Sequence, residues 1–570
     1  MDKPNRMAQS ETYDLNKLAY KLSHKKRCGS VQLKGMRSRW GRLFILYLLT
    51  SWSRAARNLR HRHVATTHGT VRGYFAPRPP HYAYRGVPYA RPPTLYDRFK
   101  APEPPSPWSG IFEATHRVKC PQPDGTGEEN CLVVNVFSPE HAASQPVIVH
   151  FHGGGFQQGW GFHNSPRKLL EQGFVLVTFN YRIGVLGFLC LGLPDVPGNA
   201  GLKDQVAALY WVNRNIDKFG GNSSDVTVYG TGSGAVSIEL LLFSGLTNNL
   251  FQKVILESGS ALSPSAISYK PVLNALNFAR NLGYKEQSEL MLLQEYFYKV
   301  SRERTVNTSE MFLPCIESAN STNSLIVRDP REYLKSAKYQ NVLMMIIYTN
   351  AEEISVIAND FDRFNEVPDS FENLLPNNIV FDSEKMRNKV ASLVKDYYFD
   401  DHGITDVVFQ SYIEYVNDIF MEYPIFKSAA NHAYNQNVVF LMKFLYKGRQ
   451  GIKRNDRIPG ASFGALLKYI IYNQFQDCDE IIAERLLTLW SNFIRLGDPT
   501  PLTTFLLPEV WQPLVPYVVD SKIVLRNIPC LIFGQTMTNS LLAGEKLMFW
   551  DRIYDKFYVN SFIHLISKKI

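Results

Sequence analysis

The sequence predicts an α/β fold, built on a large, mostly parallel, doubly wound sheet with helices on both faces. Three observations predict it. Short apolar runs recur along the chain, they are continuous rather than alternating, and helical stretches separate them. A strand covered on both faces has no wet side, so its residues need not alternate.

The strand candidates are Pro146–Phe151, Phe174–Phe179, Val226–Tyr229, Val254–Leu256, Val342–Tyr348 and Val438–Leu445. Between the second and third, Leu202, Val206, Leu209, Val212 and Ile216 keep helical spacing and predict a helix over Leu202–Ile216. Gly220-Gly221 follows its end, where a left-handed residue is often required. Prolines at 77–80, 92–93 and 102–107 read as extended surface segments rather than domain linkers. One large domain over 63–560 is expected, after a leader (1–62) and before a short tail (561–570).

The net charge of +10 is concentrated in that leader. Residues 1–62 hold 15 Lys/Arg against 3 Asp/Glu, leaving 47 basic and 49 acidic residues in the rest. The body is therefore nearly neutral. No nucleic-acid motif accompanies the basic run, so targeting or a membrane surface is the expected use. Within it, residues 43–52 (LFILYLLTSW) are apolar and flanked by Arg42 and Arg54. At ~1.5 Å per residue this run spans roughly half a ~30 Å hydrocarbon core, the length of a signal-peptide core rather than a membrane helix. Starting at Met36, the order is a basic stretch, the apolar run, then Ser53-Arg54-Ala55 as a cleavage signal. A type II signal anchor is the rival expectation, and a buried or interfacial helix the third. Either of the first two places the body outside the cell, secreted or membrane-anchored.

Seven cysteines (28, 120, 131, 190, 315, 478 and 530) include no C-x-x-C pair, so no metal centre is expected, and no cofactor. Cys190 lies in an apolar stretch and reads as a buried thiol. Asn222, Asn307 and Asn320 open N-x-S/T sequons, which become glycosylation candidates only on an exported chain.

Two motifs carry chemistry. His152-Gly153-Gly154-Gly155-Phe156 follows a strong strand, where glycines let backbone N–H groups approach a substrate oxygen, as the oxyanion loop of an α/β-hydrolase does. The nucleophile elbow G-x-S-x-G is then expected between a later strand and a helix. Gly230-Thr231-Gly232-Ser233-Gly234 stands there, with its outer glycines in place and Gly232 where the serine belongs. Ser233 falls one residue past the apex. It reads as a helix N-terminal hydroxyl whose backbone N–H would serve the oxyanion loop.

Many further stretches run in a familiar order: 69–73 (GTVRG), 85–93 (RGVPYARPP), 107–110 (PWSG), 131–136 (CLVVNV), 199–205 (NAGLKDQ), 219–222 (FGGN), 257–259 (ESG), 490–499 (WSNFIRLGDP) and 549–551 (FWD). On these residues the chain resembles the cholinesterase/carboxylesterase family over about 63–560, which implies the α/β-hydrolase fold. The resemblance puts the catalytic acid at Glu353, in Asn350-Ala351-Glu352-Glu353-Ile354, and Phe463 where the histidine belongs. It also implies a disulfide between Cys120 and Cys131. Glycine supplies no nucleophile and phenylalanine accepts no proton, so the triad Gly232, Glu353, Phe463 is degenerate.

The implied comparison is with the neuroligin, neurotactin and glutactin group, which display an inactive esterase domain outside the cell and bind protein partners. An extracellular recognition or adhesion protein is the first expectation. A small-molecule binder using the remnant gorge is the second, and an esterase with a non-standard nucleophile the last. Family members often pair through C-terminal helices. Residues 541–557 (LLAGEKLMFWDRIYDKF) are a candidate contributor to a homodimer, and packing on their own domain is the equal alternative.

Overall fold

The computed structural model describes residues 60–558 apart from 92–96, 162–165, 282–311, 320–322, 337, 350–370, 400–404, 449–460, 462–463, 472–477 and 543. The leader, Asn307, Asn320, Glu353 and Phe463 therefore lie outside the described residues.

The sheet has 13 strands. In chain order they are β1 (His61–Ala65), β2 (Thr70–Pro77), β3 (Pro80–Pro88), β4 (Ile111–Glu113), β5 (Val133–Pro139), β6 (Gln145–Phe151) and β7 (Val175–Phe179). There follow β8 (Gly221–Thr231), β9 (Lys253–Glu257), β10 (Leu343–Thr349), β11 (Val438–Phe444), β12 (Ile528–Phe533) and β13 (Met537–Leu542). Across the sheet the order is β1-β2-β3-β5-β7-β6-β8-β9-β10-β11-β12-β13, with β4 beside β2. From β7 to β12 every neighbouring pair is parallel. Antiparallel strands close both edges.

The six strands expected from apolar runs all form, within one or two residues except β8, which begins five residues earlier. Their side chains divide by pleat between two cores. Val147, Val149, Val226, Val228, Val254 and Leu256 pack on one face; Ile148, Tyr229, Ile255, Met345 and Ile347 pack on the other. The first face is covered by α1 (Ala200–Asn215) and α2 (Ser233–Phe243), the second by Trp490 and its neighbours on a C-terminal helix. Helix α1 starts and ends slightly before the expected Leu202–Ile216, and Ile216 opens a 3-10 turn instead.

Three expectations are corrected. Residues 77–80 lie at the surface as expected, but as the tight connection between β2 and β3 rather than an extended segment, with Pro77 and Pro80 facing each other across the hairpin. The C-terminal run 541–557 is not one helix. Leu541 and Leu542 complete β13, and the helix, α5, is Glu545–Phe557, because pairing with Ile528 and Pro529 claims the preceding residues. Cys190 is not a free thiol but is bonded to Cys315. Its apolar surroundings are real, yet they bury a crosslink. Cys120–Cys131 forms as the resemblance implied.

The Cys190–Cys315 bond is one of several ties on the same segment. Asn199 accepts the Cys315 N–H at 2.8 Å and donates to the Cys315 carbonyl at 2.8 Å. Lys203, on α1, pairs with buried Glu317 at 2.5 Å. Gly198 lies against both sulfurs, leaving no room for a Cβ.

Two further helices, α3 (Glu384–Phe399) and α4 (Tyr423–Tyr434), pack with α5 on the first face. At their meeting point Asp418 accepts from Tyr398 at 2.7 Å, and the Trp550 indole donates to the same hydroxyl at 2.7 Å. Burial, then the nearby Glu422 charge, pushes the Asp418 carboxyl up from 3.8 to about 7.

Removing the Cys190–Cys315 bond opens a span of 125 residues. Cys190→Ala, Cys315→Ala and the double variant should each lose about 4–5 kcal/mol in the chain-entropy account, measured by denaturant unfolding. A markedly larger loss in the double variant would show that the bond is not the shared cause.

Because folded Asp418 holds its proton more tightly than the unfolded chain does, its contribution to stability is complete below 3.8 and is lost as pH rises through about 7. Asp418→Asn should therefore shrink the fall in Tm between pH 5.5 and 8. An unchanged fall would contradict the assignment.

Candidate active site at the carboxyl ends of the parallel strands

In an open parallel sheet, ligand-contacting loops gather where the strands end. Here β6 runs into His152-Gly153-Gly154-Gly155, β8 into the turn at Gly232, and β9 into Ser258-Gly259. Strand β10 ends at Thr349, one residue before the segment holding Glu353. The fold thus gathers Gly154, Gly155, Gly232 and Ser233.

The turn between β8 and α2 is sharp. Gly232 sits at φ 57° and ψ −117°, a backbone state that L side chains rarely adopt, and α2 starts at Ser233. Its N–H donates to the Glu257 carbonyl at 2.8 Å, and its carbonyl accepts from Val236 at 3.0 Å. The flanking glycines are steric necessities. A Cβ on Gly230 would come within 2.4 Å of Gly234, and one on Gly234 within 2.3 Å of the Phe151 carbonyl. One on Gly259 would meet the Gly232 carbonyl at 2.3 Å. This is nucleophile-elbow geometry with no side chain at its apex.

Beside it, the oxyanion loop keeps its unusual backbone: Gly154 and Gly155 have φ of 119° and 63°. The Gly154 carbonyl accepts from Gln157 and Gln158, both at 3.1 Å. No bond from the N–H of Gly154 or Gly155 is made to a described residue, and the N–H of Ser233 opens a helix without an intrahelical partner. His152 stacks on Tyr181 at 4.2 Å, and the Tyr181 hydroxyl donates to the His152 carbonyl at 2.7 Å. Burial drives the Tyr181 phenol up, partly offset by the neighbouring Ser233 hydroxyl. Ser233 is thus enclosed beside a phenol.

Glu239 had no place in the sequence reading. It lies on α2, fully buried, and accepts from the Ala261 N–H at 2.7 Å and from Ser428. His432 Nε2 lies 3.2 Å from the same carboxylate, and Tyr339 bonds the other ring nitrogen at 2.9 Å. Burial alone would raise this carboxyl; His432, Ser428 and Ala261 outweigh it and hold it below the ordinary range. The network ties α2 to α4 and to the loop whose Gly259 rests on Gly232. A single charge inside the apolar run SGAVSIELLLF was the available signal. Among the described residues no cluster of three or more His, Cys, Asp or Glu side chains could hold a metal.

Residues 60–522 match the carboxylesterase family. The chain belongs to that family. It is 30% identical to Esterase FE4 of Myzus persicae over 476 residues, covering 76% of this chain and 83% of that protein. It is 28% identical to Neuroligin-3 of Mus musculus, covering 76% of this chain and 62% of that protein. The solved juvenile hormone esterase of Manduca sexta, with OTFP covalently attached, superposes with a TM-score of 0.72 at 24% identity, covering 87% of this chain and 100% of the other. That last likeness carries the α/β-hydrolase fold. An esterase and a neuroligin therefore both stand among the family relatives.

Gly232→Ala should cost about 1–3 kcal/mol from the left-handed backbone alone. Gly234→Ala should cost more, because its Cβ would meet backbone rather than a movable side chain. Chemical denaturation of the two variants tests the ranking, and equal losses would contradict it.

Proposed function

We propose that this carboxylesterase-family chain is a catalytically silent, extracellular protein that acts by binding another protein. The observation that carries the proposal is Gly232 at the apex of an otherwise intact elbow. A serine-type esterase forms an acyl-enzyme through the apical hydroxyl, after a base removes its proton. Glycine has no atom to acylate. The sequence adds Phe463 at the position the family uses for the base, so a single neighbouring hydroxyl such as Ser233 lacks its partner as well.

The similarity to Neuroligin-3 supports a recognition role, and the resemblance to the neuroligin group extends it to a protein partner at a cell surface or in a matrix. Two disulfides fit an oxidising compartment outside the cytosol. No described helix is long and apolar enough to cross a membrane, and the leader run 43–52 lies outside the described residues. A homodimer through C-terminal helices has limited apolar surface to use. On α5, Leu547, Phe549, Trp550, Ile553 and Tyr554 are buried in the chain's own domain, whereas Leu393 and Tyr397 on α3 are 52% and 41% exposed.

One observation favours a second reading. The N–H groups of Gly154, Gly155 and Ser233 make no bond to a described residue, which supports a bound, unreacted carbonyl or carboxylate compound as the alternative.

The test is hydrolysis of an activated short-chain ester by the purified body, with labelling by an organophosphonate serine probe. Neither is expected above background, and stoichiometric labelling would sink the proposal. Gly232→Ser with Phe463→His should gain labelling that each single change lacks, since the triad works as a unit. Ligand recovered with the pure protein, without turnover, would favour the second reading.

A further inference from the structure

The sequon at 222–224 stands apart from both motifs. On β6 and β8, Gln145 pairs with Gly221 and Val147 with Val226, so two steps on one strand oppose five on the other. Residues 222–225 are therefore extruded from the sheet as a bulge. Close packing anchors it at its start. Gly220 has φ 86° and lies against Ala142, and a Cβ on Gly221 would meet Val147 and Ile216.

Most polar groups in the bulge have a structural use. Asp217 accepts the Ser223 N–H at 2.8 Å and the Ser223 hydroxyl at 2.9 Å. Asn222 Oδ1 accepts the Ser224 N–H at 2.9 Å, closing an Asx turn over the sequon. Two groups remain without a partner among the described residues: Asn222 Nδ2 and the hydroxyl of Ser224, which is exposed. An Asx turn needs only an Asn or Asp and the backbone two residues on. It requires neither the amide nitrogen nor a hydroxyl at the third position, and these two are what an N-glycosylation acceptor must supply.

We propose that Asn222 carries an N-linked oligosaccharide, an inference that rests on the extracellular reading above. The donor is a polyprenyl-diphosphate-linked oligosaccharide. The bond from its anomeric carbon to the diphosphate oxygen breaks, a new bond forms from that carbon to Asn222 Nδ2, the amide gives up one proton, and the lipid diphosphate leaves. No atom is oxidised or reduced.

The position has a consequence for recognition. Asn222 is at the start of β8 and Gly232 just past its end; Gly221–Gly230 spans the six β6 steps from Gln145 to Phe151, so at ~3.3 Å per step the two ends stand roughly 20 Å apart. A glycan at Asn222 shields the amino-terminal end of the parallel strands from close protein contact. It leaves the oxyanion-loop and elbow end open to a partner.

The test expresses the full chain with its own leader in secreting eukaryotic cells. Peptides from the medium are treated with peptide N-glycosidase in heavy-oxygen water, which marks a formerly glycosylated Asn222 as labelled aspartate. Labelling at 222 is expected, with loss in Asn222→Gln and Ser224→Ala and retention in Ser223→Ala, which keeps the sequon while removing only the hydroxyl's bond to Asp217. Secreted protein with unmodified Asn222 overturns this proposal and leaves the extracellular reading standing. Chain confined to the cytosol with Cys120, Cys131, Cys190 and Cys315 reduced overturns both. A glycan that survives Ser224→Ala also overturns it.

Discussion

The whole arrangement depends on a backbone-to-backbone crossing that admits no Cβ. Where β8 turns into α2, Gly230, Gly234 and Gly259 approach carbonyl and main-chain atoms so closely that any added carbon would fall within 2.3 to 2.4 Å of them. Such contacts cannot be relieved by a rotamer change, only by moving the strand, the helix or the loop after β9. These three elements carry the central sheet, the first core and the Glu239 network, so the crossing is a folding constraint in its own right. The frame is thus held by packing whatever side chain stands at its apex. The frame is required by packing; the apical hydroxyl is required only by chemistry.

Glu239 shows how the same region is held from behind. A carboxylate at the centre of an apolar helix is costly unless every oxygen is engaged, and here a backbone N–H, a hydroxyl and an imidazole engage it. The partners come from the loop after β9 and from α4, so the charge fixes two elements relative to α2. Specificity of position is a better account of its presence than net stability, since a well-packed leucine would avoid the desolvation altogether. Asp418 is the contrasting case. Its phenolic neighbour and the Lys443 charge, with Lys546 3.9 Å away, leave burial dominant, and its carboxyl is pushed up rather than down.

The strands that could be read from sequence were those buried on both faces, because continuous apolar runs such as 146–151 admit few other structures. The edge strands could not. Thr70–Pro77 contains Gly73, and both it and Pro80–Pro88 meet at prolines, residues that argue against a strand until the partner is known. Gly73 is there because the Tyr84 ring on the adjacent strand occupies the space of its Cβ, a cross-strand fact invisible along the chain. The site was legible where it is local: the oxyanion loop and the elbow each lie within five residues. Cys190–Cys315 and Glu239–His432 were not, since their members lie 125 and 193 residues apart and no spacing rule connects them.

A glycine at the apex also changes what the turn costs. A serine at φ 57° and ψ −117° holds backbone strain of about 1–3 kcal/mol, which an enzyme retains because the strained turn presents the nucleophile. Glycine adopts the same backbone nearly free of that strain. Under the proposed non-catalytic role, glycine is therefore the residue that the local physics favours at this position, ahead of alanine or any larger residue. On that reading Gly232 acts twice: it offers no nucleophile, and it relieves the turn of strain. The proposed binding role needs the rigid frame and gains nothing from the strain.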